Sequence, residues 1–165
     1  MYKPTIDEIK TRLSNYSAIR VELDNLEERL ERLKSEETIP PMRPGNGSKP
    51  TGGTGDRQER AIIRRMEFEE RHGPEMEAKR KELRYIEESI NAVPDPMERM
   101  VLRIRYTESE TAKPMLWKNV AFAIYRDDSE AKMLATYRIF EKAIKSLRKL
   151  MLSGKWENWE KEGEE

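Results

Sequence analysis

The chain has 165 residues, 39% of them charged and 36% hydrophobic, with 32 Lys and Arg balanced by 32 Asp and Glu. That length holds one domain or two small ones, and that balance builds amphipathic helices around a modest core. A globally basic protein is excluded, and the absence of cysteine removes disulfides, thiolate nucleophiles and zinc fingers together.

The first expected helix covers about Thr5 to Lys34. Thr5 is a suitable N-cap, with Glu8 at capping-box spacing. Apolar residues recur at Ile6, Ile9, Leu13, Tyr16, Ile19, Leu23, Leu26, Leu30 and Leu33. Steps of three and four make one continuous seam, with a local stammer between Tyr16 and Leu23. From Glu36 to Asp56 the chain reads as a strap, because its prolines and glycines oppose both helix and sheet. That strap is either a solvated linker or an ordered arm.

A second long helix is expected from about Arg57 to Ala92, on Ile62, Ile63, Met66, Phe68, Met76, Leu83, Ile86 and Ile90. Gly73-Pro74 predicts a kink or short break within it. Two such helices either fold back as a coiled-coil-like antiparallel hairpin over residues 1–92 or pair with a second chain. A two-helix rod buries little area per residue, so a homo-oligomer, first a dimer, is expected.

Val93-Pro94-Asp95-Pro96 marks a boundary, since each proline disfavours helical geometry in its predecessor. Over 95–152 three helices are expected. Asp95 and Pro96 open the first, which buries Met97, Met100, Val101 and Ile104, runs to about Tyr106 and leaves Arg99, Arg103 and Arg105 outside. A polar break, TESETAK, follows. Pro114 opens the second, on Leu116, Trp117, Val120, Ala121 and Ile124. Arg126 to Ser129 form a turn, and Asp128 or Ser129 caps the third helix. That helix sets Met133, Tyr137, Phe140, Ile144 and Leu147 on one face, and Ala131, Lys132, Ala135, Arg138, Lys142 and Lys149 on the other. Residues 153–165 form an acidic tail bearing Trp156 and Trp159.

Charge is spread unevenly over these segments. Residues 113–155 hold ten Lys and Arg against four Asp and Glu, whereas residues 156–165 hold one against five. A basic island in a neutral chain suits polyanion binding, because phosphate contacts release counterions. Three helices, short-short-long with the last one basic, read as a helix-turn-helix that binds double-stranded DNA. Base edges are met from the first turns of the last helix, which selects Lys132, Ala135, Thr136 and Arg138. Lys118, Arg126, Lys142 and Lys145 suit phosphate contacts, which position without specifying.

The motifs of this region carry a resemblance. Leu102, Arg103, Arg105 and Tyr106 fit an LR-x-RY helix. Trp117, Val120 and Ala121 fit a W-x-x-[VI]-A helix. Tyr137, Arg138, Ile139, Ala143, Ile144 and Leu147 fit the third helix of the pattern. The segment resembles the region 4-like domain of sigma factors and, more closely, the RinA/ArpU type of phage regulators. Two departures stand out: Phe140 occupies a position where that family carries His, and RDDSEAKMLA is longer than the family's tight turn. The resemblance implies an all-α regulator of late phage or prophage transcription in the bacterial cytoplasm. It would bind promoter DNA and contact RNA polymerase.

Two other functions fit the same elements. One is a phage DNA-packaging subunit resembling a small terminase, and the other a coiled-coil adaptor for another protein. Catalysis is not expected. GGTGD has no strand before it, the serines lack a neighbouring histidine, and His72 alone builds no metal site, so no cofactor is expected. No apolar run approaches membrane-spanning length and MYKPTIDEIK is no signal peptide, so no membrane partner is expected.

Overall fold

A computed structural model describes residues 3–38 and 54–153. Residues 39–53 of the expected strap and 154–165 of the acidic tail lie outside the described residues, while the strap's two ends, 36–38 and 54–56, are helical. Every described element is helical and none is a strand: α1 (Ile6–Thr38), α2 (Thr54–Asn91), α3 (Pro96–Leu102), α4 (Trp117–Tyr125) and α5 (Glu130–Leu152). None of these helices is long and apolar enough to cross a membrane. The chain divides into two compact units, Met1–Val21 with Lys81–Glu165, and Glu22–Arg80. Both long helices contribute to each unit.

The start of α1 is fixed by a reciprocal box. The Glu8 amide donates to Thr5 Oγ1 at 3.2 Å, and the Thr5 amide donates to Glu8 Oε2 at 2.7 Å. Two orphan donors of the first turn are thereby satisfied.

In the Glu22–Arg80 unit, Leu23, Leu26, Ala61, Phe68 and Met76 are buried. Ion pairs link the two helices there: Glu22 to Lys79 at 2.7 Å, Glu27 to Arg80 at 3.0 Å, Glu36 to Arg64 at 3.3 Å and Glu37 to Arg65 at 2.5 Å. The two pairs earlier on α1 use residues 79 and 80 of α2, and the two near its end use residues 64 and 65. The Glu22 carboxylate holds the Lys79 ammonium above the usual lysine range, against a smaller opposing effect of burial.

The break expected at Gly73-Pro74 is absent, and α2 runs through Pro74. Proline carries no amide hydrogen, so the carbonyl of exposed Glu70 receives no hydrogen bond from position 74. Side-chain contacts bridge the position. The Phe68 and His72 rings lie 4.6 Å apart, His72 Nδ1 is 3.4 Å from Glu75, and Glu75 is 3.6 Å from Lys79.

In the other unit, Ile9, Leu13 and Tyr16 of α1 and Leu83, Tyr85, Ile86 and Ile90 of α2 are buried. So are Val101, Leu102, Val120, Ala121, Phe140, Ala143, Ile144 and Leu147 of the shorter helices. Asp95 caps α3 by accepting from the Met97 amide at 2.9 Å and the Glu98 amide at 3.0 Å, with Pro96 at N1. The helix then widens into a π-helical turn, Arg103–Thr107, which puts Ile104 and Tyr106 into the core.

The polar break after Thr107 is pinned by hydrogen bonds. Arg20 donates to the carbonyls of Thr107, at 3.1 Å, and Ser109. The buried Ser109 hydroxyl donates to the Lys113 carbonyl at 2.5 Å. Arg105 is not outside, as its helical position predicts. Its guanidinium lies 4.5 Å over the Trp117 ring and donates to the Met115 carbonyl. Helix α4 starts at Trp117, later than Pro114, and Leu116 is left 68% exposed instead of buried.

Candidate nucleic-acid interface

α5 packs on α3 and α4. Its inward face closes on aromatic rings: Phe140 lies 4.8 Å from Trp117 and 5.6 Å from Tyr137, and Trp117 meets Tyr137 edge-on at 5.4 Å. Ala143, Ile144 and Leu147 continue this face. Tyr137, expected inside, is 37% exposed at the rim of the cluster. Phe140 is buried, with the Tyr106 ring at 6.2 Å and the Lys10 ammonium 5.6 Å from its centroid.

The connection between α4 and α5 is short. Arg126 ends α4 in the left-handed region, with φ 54° and ψ 27°, and its amide donates to the Phe122 carbonyl at 2.8 Å. Residues 127–129 follow, and α5 begins at Glu130. RDDSEAKMLA is therefore not a long turn, since its last six residues are helical. Ser129 is the N-cap, but no side chain caps the helix. Asp127 Oδ1 instead accepts from the Ser129 amide at 2.9 Å, which holds the Asp127 carboxyl below the usual aspartate range.

This geometry sorts the residues singled out for DNA. Thr136 is fully buried, and its hydroxyl donates to the Lys132 carbonyl at 2.8 Å, so it is a core residue and not a base reader. Lys132 is half-buried, with Nζ 4.7 Å above the Tyr125 ring, and Ala135 is half-buried beside it. Lys118 pairs with Asp128 at 3.4 Å. Arg126 is exposed, its guanidinium 6.0 Å from the Phe122 ring. Asp127, Asp128 and Glu130 surround these cations, so the front of α5 carries little net charge.

Further along, the picture changes. Arg138, Lys142, Lys145 and Lys149 are all exposed on α5. Steps of four, three and four keep them within about one-sixth of the helix circumference, along about 17 Å of axis. None of the four forms an ion pair with a described residue. Glu141 is the acid exposed among them. Lys34, Lys81 and Lys113 likewise form no ion pair with a described residue, so what marks this row is four cations gathered on one helix face. Lys149 belongs to it although it was not among the candidate contacts. The spacing 142, 145, 149 contained that signal.

The face is not purely polar. Leu134 is 51% exposed in the same row, ahead of Arg138, and Leu116, just before α4, and Phe122, on it, are exposed. Searches for likeness found no family model, no curated protein and no solved structure that matches this chain.

Proposed function

We propose that this chain is a sequence-specific DNA-binding regulator of late phage or prophage transcription. In this reading α1 and α2 form an antiparallel hairpin, and α4 and α5 form a helix-turn-helix of the sigma region 4 kind. The observation that carries it is the row Arg138, Lys142, Lys145 and Lys149. Four exposed cations held on one helix face have no acidic partner among the described residues. A phosphate backbone satisfies such a row and gains the entropy of released counterions. Arg138, nearest the start of the helix, is the base-reading residue, because its planar fork pairs with guanine. Lys142, Lys145 and Lys149 run along the phosphates.

The front of α5 departs from the usual docking. Lys132 is engaged by the Tyr125 ring and Lys118 by Asp128, so both contribute less than their charge suggests. Exposed Leu116, just before α4, and Phe122, on it, favour a protein surface beside the DNA, which fits contact with RNA polymerase. Dimerisation belongs to the same reading.

Selection from a library of random duplexes tests sequence specificity. The expected result is enrichment of one motif by the parent protein, and enrichment flattened at one position by Arg138→Ala. Binding without any enriched motif overturns the specific reading and leaves a general polyanion binder.

A further inference from the structure

We propose that the acidic segment following α5 docks on the cation row of that helix in the same molecule and competes there with DNA. The docking stands on charge, length and surface pattern. Its regulatory consequence rests on the DNA-binding reading above.

The surface has a defined pattern. Leu134, Arg138, Lys142, Lys145, Lys149 and Leu152 lie along one side of α5, so the cations are bracketed by two exposed leucines, 51% and 38% accessible. The segment from Lys155 to Glu165 has the complementary composition. It holds five glutamates against two lysines, and two tryptophans, Trp156 and Trp159, at its start. Tryptophan covers an exposed leucine well, with large area and few rotatable bonds. Four of the five glutamates follow Trp159, where a chain turning back along α5 meets the lysines.

Reach permits the turn. From Lys149 back to Arg138 is about 17 Å along the helix axis. A stretch of twelve residues spans up to about 40 Å. Single surface ion pairs are weak, but tethering raises the local concentration of the glutamates to the millimolar range. Several weak pairs with two aromatic contacts then compete with a duplex, which offers the same negative charge without the tether.

The test uses the full chain. The protein lacks cysteine, so Gly163→Cys gives one site for a nitroxide label. Docking predicts broadening of the backbone amide signals from Arg138 to Lys149 at low salt. The signals return at about 1 M salt, where screening acts within about 3 Å. They also return when Glu157, Glu160, Glu162, Glu164 and Glu165 are all changed to Gln. The same Gln variant is expected to bind a random duplex about tenfold more tightly than the parent. Amides along α5 that stay sharp at low salt overturn the docking. Broadening seen only between separately labelled chains overturns the intramolecular form and assigns the surface to a second copy. Broadening with equal duplex affinity for parent and Gln variant overturns the competition. If neither protein binds duplex while broadening persists, the DNA-binding reading fails and the docking stands.

Discussion

At the scale of single residues, one buried group and one exposed group set expectations. Tyr106 is almost completely enclosed, and burial pushes its phenol above the ordinary tyrosine range, against a smaller opposing effect of Arg105. The sign follows from proton linkage. The unfolded chain releases that proton at lower pH than the folded one, so stability is complete below the ordinary tyrosine range and falls as pH rises through it. Tyr106→Phe is expected to flatten that alkaline decline, as read by urea unfolding at a series of pH values. An equal decline in the variant contradicts this assignment. Arg138 lies on the opposite, solvent face. Arg138→Ala is expected to leave the melting temperature within about 2 °C, as exposed surface changes do. Affinity for a selected site falls by the equivalent of about 1–3 kcal/mol, and fluorescence anisotropy measures that loss.

At the scale of elements, periodicity located every helix and misjudged some of their ends. The Thr5–Glu8 box and the Asp95–Pro96 start were legible because capping is local and written within three or four residues. The inward face of α5 was legible from its spacing, but Thr136 was not. A threonine on the flank of an apolar stripe satisfies its hydroxyl on its own helix and then buries at little cost, which its residue type does not announce. Arg105 was missed for a related reason. Its helical phase points outward, yet Trp117 and the Met115 carbonyl, ten or more positions away, draw it in. Pro74 is the strongest local signal that failed. Phe68, His72, Glu75 and Lys79 connect across it in a helix that continues without the missing hydrogen bond. Pro74→Ala therefore restores that bond without altering the contacts. It is expected to raise stability by about 1–3 kcal/mol, as measured by denaturant unfolding. Loss of stability on this change contradicts the view that α2 is helical despite the proline.

At the scale of the whole molecule, a neutral chain is built from unlike parts. In the Glu22–Arg80 unit four ion pairs join two helices, while α5 keeps four cations exposed on one face without described acidic partners. The uneven charge along the sequence foretold a basic region, but it did not foretell where on α5 that charge is available. Only the fold separates Lys118 and Lys132, held by Asp128 and Tyr125, from Arg138 and the lysines that follow. In the proposed reading the three lysines of this row bind the phosphate backbone beside Arg138. Its most direct test is the salt dependence of duplex binding, comparing the parent with a variant carrying Arg138→Gln, Lys142→Gln, Lys145→Gln and Lys149→Gln. Each phosphate contact contributes about −0.9 to the slope of log affinity against log salt. With three of the four residues on phosphates, the variant's slope is expected to be shallower by about 2.7, with folding unchanged. Equal slopes for the two proteins, or no duplex binding by the parent at low salt, contradict it.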